Sequence, residues 1–294
     1  MDKSKNRSYD PASQRMIKKA EEEDIKISWD RYDAMQPQCG FGQLGICCRV
    51  CNMGPCRIDP FGQGPQEGVC GATKDTIAAR NLARMIASGA AAHSDHGRDI
   101  AHTLLLAAQN KVHDYEIKDS NKLRKVAQVF GIETDNKTVG EIACELAKAC
   151  LSEFGKQEGT LQFLSLAPAK RQAVWSRLSL NPRGVDREVV EIMHRTHMGV
   201  DNDYKNIIGH AIRTALADGW GGSMIATELS DILFGSPEPI RATVNLGVLK
   251  KDYVNIVVHG HEPGLSEVIL TASKDKELVS LAKKYKASGI NIVG

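Results

Sequence analysis

Six of the eight cysteines lie between Cys39 and Cys70, a window of 32 residues, and only two fall in the remaining 262. They alternate with Gly40, Gly42, Gly45, Gly54, Gly62, Gly64, Gly68 and Gly71. This composition supports neither a long helix nor a regular strand, so residues 37–71 are expected to form a loop wrapped around something. A chain of 294 residues with 42% hydrophobic residues buries a full core without staples, which excludes a disulfide-rich miniprotein. Lys+Arg total 38 against 36 Asp+Glu. That balance offers no basic field for nucleic acid and no acidic tail. The charged start at Met1–Arg7 leads into no apolar segment, so no signal peptide is expected. No apolar run is long enough to span a membrane. The expected location is cytoplasmic, where clustered cysteines serve as metal ligands or redox groups rather than disulfides.

The spacing divides the six. Cys48-x2-Cys51-x4-Cys56-x13-Cys70 brings a close pair, a third thiol shortly after and a fourth on a returning loop. Four such ligands suit one 4Fe–4S cluster. The glycines let backbone N–H groups approach the sulfurs. A four-cysteine zinc site uses similar pairs but normally two short knuckles, and only one pair here has that spacing. Cys39-x7-Cys47 supplies two further thiols. They are an inert pair, a redox pair, or half of a cluster shared across a two-fold axis, where two ligands per chain become four.

From Ala72 the pattern turns helical. Helices are expected at 76–87, 99–112, 121–130, 138–154, 168–178, 186–197, 203–217 and 224–234, with a marginal strand at 161–166. The breaker Gly235-Ser236-Pro237-Glu238-Pro239 marks a boundary. Beyond it, β-branched runs at 253–260 and 289–294 flank a helical stretch from about residue 265 to 287, a βαβ pattern implying a parallel sheet. The fold class is therefore α plus α/β. A mostly helical domain at 1–235 carries the cysteine loop, and 236–294 starts a Rossmann-like domain. Two strands are too few for a stable open sheet, so the chain reads as truncated. Cys144 and Cys150 are expected to be buried structural thiols, and Trp175 and Trp220 core residues. His194, His197 and His210 show no metal spacing. Gly219-Trp220-Gly221-Gly222 lacks the lysine of a phosphate loop.

Several motifs in this order resemble one family. They are Cys39-Gly40-Phe41-Gly42, Gly45-Ile46-Cys47-Cys48-Arg49, Cys51-x4-Cys56-Arg57-Ile58, Cys70-Gly71-Ala72 and His93-Ser94-x-His96. Further along come His194-Arg195-Thr196-x-Met198-Gly199, Asp231-Ile232-Leu233-Phe234-Gly235, Asn245-Leu246-Gly247-Val248-Leu249-Lys250 and His259-Gly260-His261. From about residue 25 onward the chain resembles the amino-terminal part of anaerobic nickel–iron–sulfur carbon monoxide dehydrogenases.

The resemblance implies roles. Cys48, Cys51, Cys56 and Cys70 match the ligands of a 4Fe–4S relay cluster within each subunit. Cys39 and Cys47 match the pair that, with its symmetry mate in a homodimer, holds a shared cluster, and the spacing resembles the four-iron kind. His261 matches the histidine on the iron of the nickel–iron–sulfur active-site cluster, while His259 reads as structural. His93, His96 and His102 recur at multiples of three residues: they are either a polar, solvated helix start after Gly89 or, as the resemblance implies, a ladder that passes protons. Asp99 stands where many members carry a fourth histidine, and a carboxylate still passes a proton. The implied activity is oxidation of CO with water to CO2, two protons and two electrons, delivered to a ferredoxin-like acceptor. The family's remaining cysteines and its catalytic lysine would lie beyond Gly294. The chain is then the electron-relay and dimerisation half of such an enzyme. The alternative is a non-catalytic dimeric iron–sulfur electron-transfer protein.

Overall fold

The computed structural model describes residues 7–112, 114–236, 249–258 and 263–293. Two compact units divide it: Cys39–Ser236, and Met1–Gln38 together with Pro237–Gly294.

The larger unit is organised on one helix. After the short helices α1 (Pro11–Glu22) and α2 (Ser28–Ala34) of the other unit, the cysteine loop opens with α3 (Gly40–Gln43) and the two-residue strands β1 (Cys47–Cys48) and β2 (Cys56–Arg57). Helix α4 then runs unbroken over Lys74–Ala108, with Thr73 capping its first turn by accepting from the Thr76 amide. At 35 residues it is about 52 Å long. Its buried positions include Ala83, Ala87, Ala90, Ser94, Gly97, Ala101 and Leu104, alternating by three and four residues down one stripe. Nearly all are small, so neighbours approach the backbone closely. Those neighbours are α6 (Val139–Gly155), α8 (Val185–Arg195), α9 (Tyr204–Ala217) and α10 (Met224–Phe234). Helices α5 (Ser120–Val129) and α7 (Ala169–Arg177) complete the unit.

Three apolar clusters form its core. The largest joins the second half of α4 to α5, α6 and α10 through Leu104, Leu123, Ile142, Leu146, Phe154 and Leu229. A second joins Ala79, Ala83 and Ala87 to Ile192 and Ile207. The third, Ile46, Cys48, Ile58, Ala72 and Ile77, seats the cysteine loop on the first turn of α4.

The expected break between helices at 76–87 and 99–112 is absent, because Gly89 and Gly97 are accommodated inside one helix. Gly97 is held there by a close approach: a Cβ would lie 2.6 Å from the Gly222 carbonyl oxygen. Gly222 belongs to a single π-helical stretch, Asp218–Ser223, that joins α9 to α10. The Gly-Trp-Gly-Gly segment thus serves packing. Residues 161–166, expected as a marginal strand, instead contain a 3-10 turn at Gln162–Leu166. Trp175 and Trp220 are half-buried and packed on each other, with ring centroids 6.3 Å apart, rather than core residues. Cys150 is fully buried, while Cys144 is only partly so.

Toward the end of the chain, β3 (Val254–Val257) and β4 (Ile290–Val293) pair in parallel, Val254 opposite Ile290 and Val257 opposite Val293. Two helices, α11 (Pro263–Ala272) and α12 (Lys276–Lys284), replace the single expected one. The break is local: the Asp275 carboxylate accepts from the amides of Glu277 and Leu278 and starts a new helix. Asn291 donates across the strands to Asn255 at 2.8 Å.

The glycines of α4 separate two opposing effects. Gly89 has open space where a Cβ would go, so Gly89→Ala should stabilise the fold by about 0.5–1 kcal/mol through helix propensity alone. Gly97→Ala, the same chemical change, should destabilise it by about 1–3 kcal/mol because backbone cannot yield. Urea midpoints of the two variants measured side by side check the opposite signs.

Candidate metal centre

The cysteine loop places four thiols around one point. In the antiparallel pair β1–β2, Cys48 stands directly opposite Cys56. Directly opposed residues project their side chains on the same face. Cys51 follows in the turn between the strands, where the Gly54 amide donates to the Cys51 carbonyl at 3.3 Å. Cys70 is presented by a second turn, closed by Gly71 N–H to the Gly68 carbonyl at 2.9 Å and Gly68 N–H to the Ala72 carbonyl at 2.8 Å. Cys48, Cys51, Cys56 and Cys70 line a single enclosed hollow, walled also by Val50, Ile77 and Met198. The turn runs close against Cys56: a Cβ on Gly68 would stand 3.3 Å from the Cys56 Cβ and 3.4 Å from its sulfur.

All eight cysteines are free thiols. Among the described residues, no group of three or more His, Cys, Asp or Glu side chains gathers as ligands of one metal ion. A zinc ion would draw four sulfurs to about 2.3 Å from one centre. A cubane cluster instead takes each thiolate on a different iron, so its ligands stand further apart around a hollow. The chemistry of the donor set, four free thiols lining one hollow, suits the cluster.

One wall of this hollow is charged. Arg80, on the first turns of α4, is 1% exposed. Its Nη1 points to the Cys70 sulfur at 3.6 Å, and Nη2 donates to the Asp201 carbonyl at 3.0 Å and to Asn202 Oδ1 at 2.8 Å. Asn202 in turn donates to the Cys70 carbonyl at 3.3 Å, and its own carbonyl accepts from Thr76 at 2.7 Å. Burial alone would raise the Cys70 pKa. The Arg80 hydrogen bond and the amides of Ala72 and Gly199 outweigh that effect and hold it below the ordinary thiol value, which favours the thiolate a metal binds.

Cys39 and Cys47 do not line the hollow. Cys47 precedes Cys48 on the same strand, so its side chain faces the other way. Asn81 of α4 fixes its carbonyl at 3.2 Å, together with that of Gly45 at 2.9 Å. Cys39 is exposed at the start of α3, where the amides of Gly42 and Phe41 lower its pKa.

His93, His96 and His102 all ride on α4. His93 Nδ1 meets Asp218 Oδ1 of the π-helical stretch at 2.6 Å, and Ser223 donates to that same oxygen at 3.3 Å. His96 and Asp99 border a groove with Asp95, Arg98 and Asp186. His102 is exposed. Each three-residue step turns about 300°, so over nine residues the series winds to the opposite face of the helix and climbs about 13 Å. It leads from a carboxylate contact outward to solvent. His259 and His261 lie outside the described residues.

A buried ionic cluster lies beyond Asp201. The Glu188 carboxylate, with no exposed side-chain surface, accepts from Arg183 Nε at 3.0 Å, Arg213 Nε at 2.7 Å and His210 Nε2 at 3.1 Å. Burial works against its ionised form, but the hydrogen bonds from His210 and Arg183 depress its pKa well below the usual carboxylate range. The same balance lowers Glu191 to about 2. Burial lowers His210, with Glu188 opposing. Arg195 continues the cluster to the Asp201 carboxylate at 3.0 Å. Spacing missed Arg80, Asn202, Asp218 and Glu188, because an isolated charge on an amphipathic helix reads as a solvated face. The His194–Gly199 motif beside Asn202 was the one available signal.

These shifts share a sign. His210 binds its proton more weakly folded than unfolded, so acid stabilises the unfolded chain first as pH drops below about 6.5. Glu188 and Glu191 add stability above about pH 4.5, lost as pH falls toward about 2. Anaerobic melting from pH 8 to 3 should show a plateau above pH 6.5 and a two-stage acid decline. Glu188→Gln should cost about 3–5 kcal/mol at neutral pH by stranding buried cations and should flatten the acid branch.

Comparison with known proteins adds to this geometry. A model of the Prismane/CO dehydrogenase family matches residues 46–294. Carbon monoxide dehydrogenase 1 of Methanosarcina mazei is 59% identical over 288 residues, 98% of this chain and 46% of that protein. The crystal structure of a nickel-free carbon monoxide dehydrogenase from Thermococcus sp. AM4 superposes with a TM-score of 0.91 at 55% identity, over 99% of this chain and 46% of that one. An acetyl-CoA synthase/carbon monoxide dehydrogenase structure, described for the NiZn and NiNi iron–sulfur clusters of its alpha subunits, gives a TM-score of 0.87 at 43% identity, over 98% of this chain and 43% of that one. The chain thus spans just under half the length of the relatives it matches.

Proposed function

From a chain that belongs to the Prismane/CO dehydrogenase family, we propose the electron-relay and dimerisation part of an anaerobic, nickel-dependent carbon monoxide dehydrogenase. The reaction is CO + H2O to CO2, two protons and two electrons. The observation that carries this reading is the hollow lined by Cys48, Cys51, Cys56 and Cys70 in a chain 59% identical to an enzyme of that name.

The family cofactors are iron–sulfur and nickel groups. When bound, they supply CO oxidation at a nickel–iron–sulfur cluster and one-electron transfer at 4Fe–4S clusters. In this chain Cys48, Cys51, Cys56 and Cys70 hold one 4Fe–4S cluster. Cys39 and Cys47 hold half of a second, completed by the same pair of a second copy. The exposure of Cys39 leaves its thiol reachable by a partner, and the amides of Gly42 and Phe41 favour its thiolate. His93 is oriented by Asp218 and opens a proton path continued by His96, Asp99 and His102 toward solvent. His261 contributes a ligand to an iron of the active-site cluster. The β3–β4 segment belongs to a Rossmann-like domain beginning after residue 235. The enzyme is a cytoplasmic homodimer that delivers electrons to a ferredoxin-like protein. Among the described residues no helix is long and apolar enough to cross a membrane.

Anaerobic CO-dependent viologen reduction by the full-length protein, with metal analysis, tests the reading. The protein should be brown. Cys51→Ser should lose about four irons per chain and most of its CO-dependent viologen reduction. Cys39→Ser/Cys47→Ser should lose about two irons per chain, half of a shared four, and keep the other cluster. Colourless, zinc-loaded protein would sink the proposal. An iron-containing protein inert to CO would leave the non-catalytic electron-transfer reading in its place.

A further inference from the structure

Arg80 poses an electrostatic problem. A guanidinium that cannot lose its proton is almost wholly buried, and no carboxylate pairs with it among the described residues. Its oxygen partners are neutral: the Asp201 carbonyl and the Asn202 side-chain amide. Its Nε is buried without a hydrogen-bond partner. An uncompensated buried ion costs several kcal/mol. The remaining contact is the Cys70 sulfur, and the other three cysteines line the same hollow. The negative charge that balances Arg80 therefore has to come from the occupant of that hollow.

We propose that Arg80 is the counter-ion of the 4Fe–4S cluster held by Cys48, Cys51, Cys56 and Cys70, and that it raises the reduction potential of that cluster. The inference rests on the ligand assignment proposed above. Reduction adds one electron from the donor and makes the cluster more negative. A fixed cation beside a ligand sulfur stabilises that product more than the oxidised form. The two oxygen contacts hold the guanidinium in place without cancelling its charge. Arg80 is a positioning residue: it makes no bond to metal and acts through the Cys70 sulfur.

The test is an EPR-monitored redox titration of the full-length protein, purified anaerobically and titrated with dithionite through mediator dyes. The relevant signal is the one Cys51→Ser abolishes. Arg80→Met should keep its iron and make reduction at least about tenfold less favourable, a shift of about 59 mV to more negative potential for one electron. Arg80→Lys keeps the charge but cannot reach sulfur and both oxygens together, so it should shift in the same direction by less. An unchanged potential in Arg80→Met with iron retained overturns the role of Arg80 alone. If Arg80→Met takes up no iron, Arg80→Gln, which removes the charge but keeps polar contacts, decides: a negative shift supports the role and an unchanged potential overturns it. A signal and iron content undiminished in Cys51→Ser overturn the ligand assignment, and with it the premise.

Discussion

A helix whose buried face is mostly alanine, serine and glycine over its middle gains little there from its own side chains, so its partners must come close enough to touch backbone. That constraint shapes the larger unit. Along α4 the stripe from Ala79 to Ala101 admits α8, α9 and α10. The tightest point, Gly97 against Gly222, lies beside the π-helical stretch. The extra residue of a π turn shifts the side chains that follow it relative to a regular helix. Here the stretch begins at Asp218, whose carboxylate reaches His93. Close packing and the histidine contact are thus one feature.

The same helix carries the metal-site residues at its other end. Thr73, Thr76, Ile77, Arg80 and Asn81 cap it, pack beneath the cysteine loop, face Cys70 and hold the Cys47 carbonyl. Thirteen residues separate Arg80 from His93, about 20 Å along a rigid axis. A spine of this kind fixes the distance between the four-cysteine hollow and the His93–Asp218 contact better than a loop could. Continuity through Gly89, where a break would be cheap, keeps that spacing.

Legibility differed between parts for physical reasons. That four of the cysteines line one hollow and two do not was readable because their spacing is local. Helix α6 was readable because Thr138 and Glu141 form a reciprocal cap. Helix α4 read as two helices because glycine disfavours helix on its own, whereas Gly97 is retained by a contact 125 residues away. The β1–β2 pair spans two residues per strand, too short for any periodicity. Arg80 was invisible for a different reason. Helical patterning gives an arginine to solvent, and only the fold reveals that this one is enclosed.

The enclosure extends beyond Arg80. Asp201 offers its carbonyl to Arg80 and its carboxylate to Arg195. Arg195 reaches Glu191, which shares Arg183 and Arg213 with the buried Glu188. A continuous polar chain therefore runs from the Cys70 sulfur to the interior carboxylate. Among the described residues every arginine of this polar chain but one is ion-paired to a carboxylate. The exception is Arg80, at the end facing the cysteines. A buried ionic chain that served stability alone would be expected to close with a carboxylate, because a terminal buried cation is costly. Ending it at a sulfur is favourable only if that sulfur belongs to a group carrying the missing negative charge.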